Sequence, residues 1–365
     1  MKCSVRVDEL RLGLRNVERA VGKTASLPIL SSIYFSVHDG YIVLRATNLD
    51  VGIETRINGK TDKVGEVVVP ANVLITLIST LPSTHEVHLS TQGQDLLIDT
   101  QNQKTRLKGF IVSEYPTFPV IIKEYSGSVS GNSLLQSFSR VILAAATYTM
   151  RQELMSVSFS FGKKVTLAAT DSFRLTEESI DGMNVSGSTT VLIPLHSIQD
   201  CITLLSHGTP ESVGITIGEG SIEFTIGKTQ ILSRLLEGKF PAYAEILPKQ
   251  TYTTIRVDSE LLRDALKQAK VFTSKLSDIH LTTHENEGLQ VEAKSPDIGE
   301  YSNIIQATIE GSPISLVLNW KYISDAITGR DGEVIFSCAS AQDPVKITSQ
   351  NVNGFHIIMP MRGVV

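Results

Sequence analysis

One phrase occurs three times along this chain, and it constrains the fold more than any other feature. "LAATDSFRL" at 167–175 is echoed by "LRATNLDVGI" at 44–53 and, more faintly, by "VEAKSPDIGE" at 291–300. Thr47 and Thr170 lie 123 positions apart, Thr170 and Ser295 125 apart. A second landmark keeps the same step. Pro70 in "VVVPANVLITLI", Pro194 in "VLIPLHSIQDCITLL" and Asn319 in "LVLNWKYISDAI" each precede an apolar-periodic segment, at intervals of 124 and 125. Both intervals approach a third of the 365 residues, so the chain reads as three tandem modules over 1–119, 120–248 and 249–365.

Each copy repeats one order of elements. A short strand ("CSVRV", "YSGSVS", "YTTIRV") leads into a helix; in the first copy Val7, Leu10, Leu14, Val17 and Val21 recur at the spacing of one buried helical face. Three alternating strands follow, with Asp39-Gly40 as a hairpin turn, and then strand, helix and three strands come again. Two helices with about eight antiparallel strands per module predict an α+β fold with the helices on one face of the sheets. Pro-containing segments at 114–119 and 237–248 mark the module boundaries.

Composition supplies the limits. A chain that is 41% hydrophobic and 19% charged can bury a core in each module. Cys3, Cys201 and Cys338 are odd in number and widely spaced, so neither a disulfide framework, a zinc site nor any other metal or cofactor is expected. "MKCSVRVDEL" lacks a signal-peptide core and no run reaches bilayer length, which predicts a cytoplasmic protein with no membrane partner. The net charge of -5 argues against a general nucleic-acid-coating protein but permits a local basic surface. Such a surface is suggested by Arg11, Arg15, Arg19 and Lys23 at four-residue steps beside the apolar face of the first helix, and by Arg263, Lys267 and Lys270 in the third copy. The second copy offers Arg140. A solvated helix face is the plainer reading of any one stripe, and it is the recurrence in two equivalent helices of an acidic protein that speaks for a basic surface.

Head-to-tail modules make heterologous contacts, which close into rings when the rotation allows. A ~120-residue globule is roughly 35 Å across. Six of them, hence two chains, enclose a hole of about 30 to 35 Å, against roughly 20 Å for a DNA duplex. Helices lining that hole would set their basic stripes toward phosphates without reading sequence.

At this point the residues meet a family. "LPILSSI", "ATNLDVGIE", "AATDSFRL", "EGKFPAYAEILP" and the terminal "MPMR" stand in the order and spacing of the β sliding clamps, the processivity subunits of bacterial DNA polymerase III, and the chain resembles them over essentially its whole length. The resemblance implies a non-catalytic homodimeric ring around double-stranded DNA that tethers the polymerase III catalytic subunit. It also implies an ATP-driven clamp loader, and other polymerases and repair proteins carrying clamp-binding peptides. Matched position by position, it places the peptide pocket at Arg151, Leu154, Thr170, Ser172, Phe173, Arg174 and Leu175, with Pro241, Ile246, Ile357, Met359, Pro360, Met361 and Arg362. It places dimer closure at Leu107, Val271 and Phe272. Phe173 stands where the family often has His or Tyr, and Glu245 where some members have Arg.

Adaptable apolar side chains, Met above all, suit a site for partners of different shape, and Arg174 and Arg362 could orient a peptide. Two other readings compete. A hydrolase would use Asp171, Ser172 and a distant His, but no motif surrounds His196 or His207, and the other copies carry Leu49 and Pro296 at the Ser172 position. A monomeric adaptor would display peptide pockets without closing a ring.

Overall fold

Among the described residues six helices punctuate the chain: α1 (Val7–Glu18), α2 (Ala71–Thr80), α3 (Gly131–Val141), α4 (Leu195–His207), α5 (Ser259–Ala269) and α6 (Trp320–Ala326). The structure is a computed structural model that describes residues 1–23, 27–100, 102–118, 120–162, 164–181 and 187–361. Each sequence landmark is the last residue of a strand. Pro70, Pro194 and Asn319 end Gly65–Pro70, Thr189–Pro194 and Ser315–Asn319, and a helix begins at the next residue. The reason is plain at Asn319, whose side chain accepts from Lys321 N at 2.9 Å and so caps α6.

Helix α1 buries Val7, Leu10, Leu14 and Val17 as the spacing predicts, with Asp8 and Glu9 in its first turn, where the dipole favours them. Val21 does not extend that face. The helix stops at Glu18, and the chain turns until Gly22 N donates to Leu30 O at 2.8 Å. Helix α5 starts on Asp258, which accepts from Glu260 and Leu261 N–H, and buries Leu262, Ala265, Leu266 and Ala269.

The chain folds into two compact units that regroup the repeats. The first comprises Met1–Asn132 and Gln199–Leu235. Its smaller sheet orders Lys60–Lys63, Lys2–Arg6, Glu86–Gln92, Asp95–Asp99 and Lys104–Leu107. Its larger sheet orders Tyr125–Ser130, Ser212–Gly218, Ser221–Ile226 and Thr229–Arg234, then Val51–Asn58, Tyr41–Thr47, Ser32–His38 and Gly65–Pro70. The join in the middle belongs to two repeats: the last strand of copy two pairs antiparallel with a strand of copy one, Val51↔Ser233 through Thr55↔Thr229. The Thr55 and Thr229 hydroxyls hydrogen-bond at 2.8 Å inside this seam.

The second unit comprises Ser133–Ile198 and the chain from Leu236 onward. It repeats the device. Arg174–Ile180 of copy two pairs with Gly354–Ile358 of copy three, Arg174↔Ile358 through Glu178↔Gly354, inside a nine-stranded antiparallel sheet. A four-stranded sheet orders Gly299–Ile305, Gly288–Ser295, Asp278–His284 and Ser315–Asn319, with α5 against it. The core of the copy-three part gathers Ile255, Leu262, Leu266, Ile279, Val291 and Phe336 among others. All three cysteines are buried and free, and burial raises the thiols, Cys3 to about 11 and Cys338 to about 12.

Gly13 marks the closest approach of α1 to its sheet: a Cβ there would lie 2.7 Å from Leu44 Cδ1 and 2.8 Å from Ile57 Cγ2. Replacing Gly13 by Ala gains about 1 kcal/mol of helix propensity but overpacks the contact by about 1–3 kcal/mol. Overpacking is expected to win. Gly13→Ala should lower the urea midpoint without changing the slope of the transition, and a raised midpoint would refute the packing argument.

Candidate functional site

The repeated phrase builds a rigid turn. Strand Val165–Thr170 ends on Thr170, whose Oγ1 donates to Arg174 O at 2.6 Å and accepts from Ser172 N at 3.1 Å. Asp171 Oδ1 accepts from Phe173 N and Arg174 N, at 2.9 and 3.0 Å, and closes the turn from the other side. Ser172 is thereby held at a φ of 78°, in the left-handed region. Strand Arg174–Ile180 then leaves along Gly354–Ile358, and Met359 N donates to Phe173 O at 2.9 Å.

A cavity of about 140 Å³ opens on this turn. Of the residues named from sequence, Arg151, Thr170, Ser172, Arg174 and Leu175 line it from copy two. Pro241 and Ile246, also of copy two, and Ile357 and Met359 of copy three complete its wall. Leu154 and Phe173 line a second hollow of about 450 Å³, whose wall shares Arg151, Ser172 and Arg174 with the first. Pro360 and Met361 line neither; Met361 N is used on Val317 O at 2.8 Å. Arg362 lies outside the described residues.

Sequence reasoning missed Ala242 and Tyr243 on the wall. Tyr243 donates to Glu177 Oε2 at 2.5 Å, and burial, then this carboxylate, push its hydroxyl pKa upward. The signal was present in "FPAYAEI", the segment that also supplied Pro241 and Ile246. Tyr322 and Asp325 of α6 were missed too, and they govern Arg174. Its guanidinium bonds Asp171 Oδ2 at 2.9 Å, reaches Asp325 and lies 4.4 Å from the centre of the Tyr322 ring. Arg174 therefore shapes the wall and its charge is already balanced by two carboxylates. Exposed Tyr148, Met150 and Phe173 add apolar surface near the second hollow, Met150 being 99% exposed.

The hydrolase arrangement is not assembled. Asp171 is occupied by two backbone N–H groups and Arg174, Ser172 engages through its backbone, and no histidine lines either cavity. Among the described residues no cluster of three potential metal ligands occurs, and no helix is long and apolar enough to cross a membrane.

The basic residues separate into classes. Arg15 and Lys23 are exposed, though Lys23 lies beyond the end of α1 rather than on it. Arg19, at the end of α1, pairs with Asp200 at 2.5 Å. Arg263 is half-buried, Lys267 bonds Asp264 at 2.9 Å, and Lys270 lies 5.6 Å from the centre of the Trp320 ring. Two residues are withdrawn from the surface stripe. Arg11 donates to Leu81 O at 2.5 Å and Ile78 O at 3.2 Å, and so satisfies the open carbonyls at the end of α2. Arg140 is turned into the second unit, where its Nη2 meets Glu178 Oε2 at 2.9 Å. Glu178 accepts from Arg330 as well, at 3.1 Å; the carboxylate is 1% exposed and the Arg330 side chain 0%. Helical spacing shows which side of a helix a residue takes, but not the carbonyls or carboxylate that await it there.

Leu107 is buried at the end of the edge strand Lys104–Leu107, Val271 is exposed, and half-buried Phe272 stacks on Tyr301 with ring centres 6.2 Å apart.

Beneath the pocket strand His356 Nδ1 meets Thr176 Oγ1 at 2.6 Å, while its Nε2 is buried without a partner. Burial, reinforced by Arg330 and Arg174, holds its pKa well below the ordinary 6.5. The folded chain keeps this ring neutral, so below pH 6.5 the unfolded chain takes up a proton that the folded chain refuses. Stability from this residue should be full above that pH and fall by about 1.4 kcal/mol per pH unit below it, until the folded pKa is reached. Urea unfolding at pH 7.5 and 5.5 should show the loss in the native chain and a smaller one in His356→Gln; equal losses would exclude His356 as the cause.

Comparison with known proteins places this geometry. Residues 1–119, 128–242 and 244–362 match the N-terminal, central and C-terminal domains of the DNA polymerase III beta subunit. Among curated relatives, a beta sliding clamp of Synechococcus elongatus is 24% identical over 379 aligned residues, covering 99% of each chain. One of Vibrio cholerae is 23% identical, covering 99% of this chain and 100% of its own. Among solved structures, a Bacillus subtilis DNA polymerase sliding clamp matches with a TM-score of 0.94 at 24% identity, over 100% of this chain and 99% of that one. A Pseudomonas aeruginosa clamp bound to griselimycin matches with a TM-score of 0.94 at 24% identity, over 100% of both chains.

Proposed function

The chain belongs to the DNA polymerase III beta subunit family, and from that membership we propose that it is a cytoplasmic sliding clamp. In this reading two copies, each of three modules over 1–119, 120–248 and 249–365, close head to tail around duplex DNA and hold the replicative polymerase on its template. The protein catalyses no reaction; it works by enclosure.

The observation that carries the ring is a pair of unused sheet edges. Copy one joins copy two through Val51–Asn58 and Thr229–Arg234, and copy two joins copy three through Arg174–Ile180 and Gly354–Ile358. In each join the third strand of a copy's first half takes the last strand of the following copy. The same rule applied once more calls for Gly299–Ile305 of copy three to meet Lys104–Leu107 of a first copy. Both strands stand at the edge of their sheets within the chain. Two chains supply both missing joins, and neither of these two edges is then left open. Lys104 on one edge and Glu300 on the other offer opposite charge across the pairing, while Arg106 and Lys108 are held within the chain by Asp95, at 2.6 and 2.9 Å. Leu107, Val271 and Phe272 would lie about this seam. Arg15, Arg19, Lys23, Arg263, Lys267 and Lys270 would face phosphate, held by long-range attraction that allows sliding.

The cavity on the copy-two turn would receive clamp-binding peptides of the polymerase, the clamp loader and repair proteins. Its apolar walls, rigid turn and internally balanced Arg174 suit an extended segment anchored by one or two apolar side chains.

Sedimentation should give a mass near twice 39.8 kDa, and Glu300→Arg, which makes both edges basic, should weaken the dimer about ten-fold. Loaded onto circular DNA by its clamp loader with ATP, the protein should stay bound and then leave when the circle is cut. Equal retention on cut and uncut DNA would show that enclosure is not the mode of binding.

A further inference from the structure

The turn that builds the copy-two cavity has a structural double in copy one, with a cavity of its own. Thr47 Oγ1 donates to Val51 O and accepts from Leu49 N, both at 3.0 Å, as Thr170 does with Arg174 and Ser172. Asn48 Oδ1 accepts from Asp50 N and Val51 N, as Asp171 does from Phe173 and Arg174. Leu49 and Ser172 share a φ of 78°. Even the link to the neighbouring strand recurs: Arg234 N donates to Asp50 O at 2.9 Å, where Met359 N donates to Phe173 O at 2.9 Å.

A cavity of about 380 Å³ opens on this first turn. Leu232 stands in it where Ile357 stands in the other, and Pro116 and Phe118 where Pro241 and Tyr243 stand. Gly52 replaces Leu175, and a Cβ on it would lie 2.6 Å from the Phe118 ring, so the aromatic wall comes close where the other cavity has a leucine. Leu49 is the telling residue. A left-handed turn position favours Gly, Asn or Asp, yet it holds a leucine that is 46% exposed in the cavity wall. Backbone strain spent on an exposed apolar side chain points to contact with a ligand.

The rims differ in charge. Asp50 takes the place of Phe173, and Glu219 also lines the cavity; both carboxylates are exposed and without an ion-pair partner among the described residues. Arg234 in place of Met359 offsets one of them. The wall therefore carries a net negative charge around apolar ground, whereas the arginines of the copy-two cavity are balanced within the chain, Arg174 by Asp171 and Asp325 and Arg151 by Glu153.

We infer that the copy-one cavity is a second docking site for an extended partner peptide, one whose large apolar anchor is flanked by basic side chains. The inference rests on reading the copy-two cavity as a peptide site, since the shared turn supplies the ligand class. Rim charge supplies the selectivity, so basic tails would favour the copy-one cavity over the internally balanced copy-two cavity.

The test uses the full-length dimer in a Met359→Glu background, which spoils the copy-two cavity, at low ionic strength. The probe is the fluorescein-labelled peptide Gly-Ser-Lys-Leu-Phe-Arg-Ser-Gly, followed by anisotropy. It should bind saturably, and Asp50→Lys with Glu219→Lys should weaken it about ten-fold. Leu49→Gly, which relieves the turn and leaves the rim charges in place, should abolish binding while raising the melting temperature. Absence of saturable binding in the Met359→Glu background, or binding indifferent to Leu49→Gly, overturns the second site. The two readings separate by a cross-check. A probe bound by the native chain and lost on Met359→Glu alone leaves the copy-two pocket standing without this one, whereas a probe lost on Leu49→Gly alone does the reverse.

Discussion

Main-chain pairing between repeats is the constraint on which everything else here depends. A single copy leaves its third and its last strand with open N–H and C=O groups that only another copy satisfies, and each pairing made in water contributes only about 0.5–1.5 kcal/mol net, while an unpaired buried group costs more. The chain meets this by running its sheets across copy boundaries. The compact units therefore divide the middle repeat, giving its closing strands to copy one and Arg174–Ile180 to copy three. Sequence repeats and spatial units differ because strand edges, rather than the connecting segments, decide what packs with what.

The same joins position the cavities. Each turn on the repeated phrase lies where a strand enters a join, so its side chains meet those that follow the partner strand: Met359 beside Phe173, Arg234 beside Asp50. A site assembled in this way needs both copies for its walls. The turn itself is made rigid by a threonine hydroxyl and an Asx oxygen, which leaves the apolar side chains free to serve as contact surface. Beneath the copy-two turn, Glu178 holds two guanidinium groups and His356 stays neutral. Burial lowers the Arg330 pKa while Glu178 opposes that fall, and removal of the carboxylate would leave two buried cations without it.

Much of the lining of this candidate site was legible because the copy-two cavity draws on short motifs whose residues stay together: Thr170, Ser172, Arg174 and Leu175 from one phrase, Pro241 and Ile246 from another, Ile357 and Met359 from a third. Tyr322 and Asp325 were not, since their link to Arg174 spans about 150 positions and belongs to no motif. Arg11 and Arg140 illustrate the opposite failure. Both fit a basic helical stripe by spacing, and both are taken by partners, 67 and 38 positions away, that periodicity cannot anticipate.

The order of elements, the count of copies, the buried faces of α1 and α5 and the turn chemistry follow from the sequence alone, because each depends on intervals of a few residues or on one repeated step. Which strands join, which arginines keep their charge at the surface and that copy one carries a cavity matching that of copy two were decided only by the tertiary structure. These depend on edges and side chains brought together from distant positions, where backbone pairing and burial, rather than local preference, select the partner.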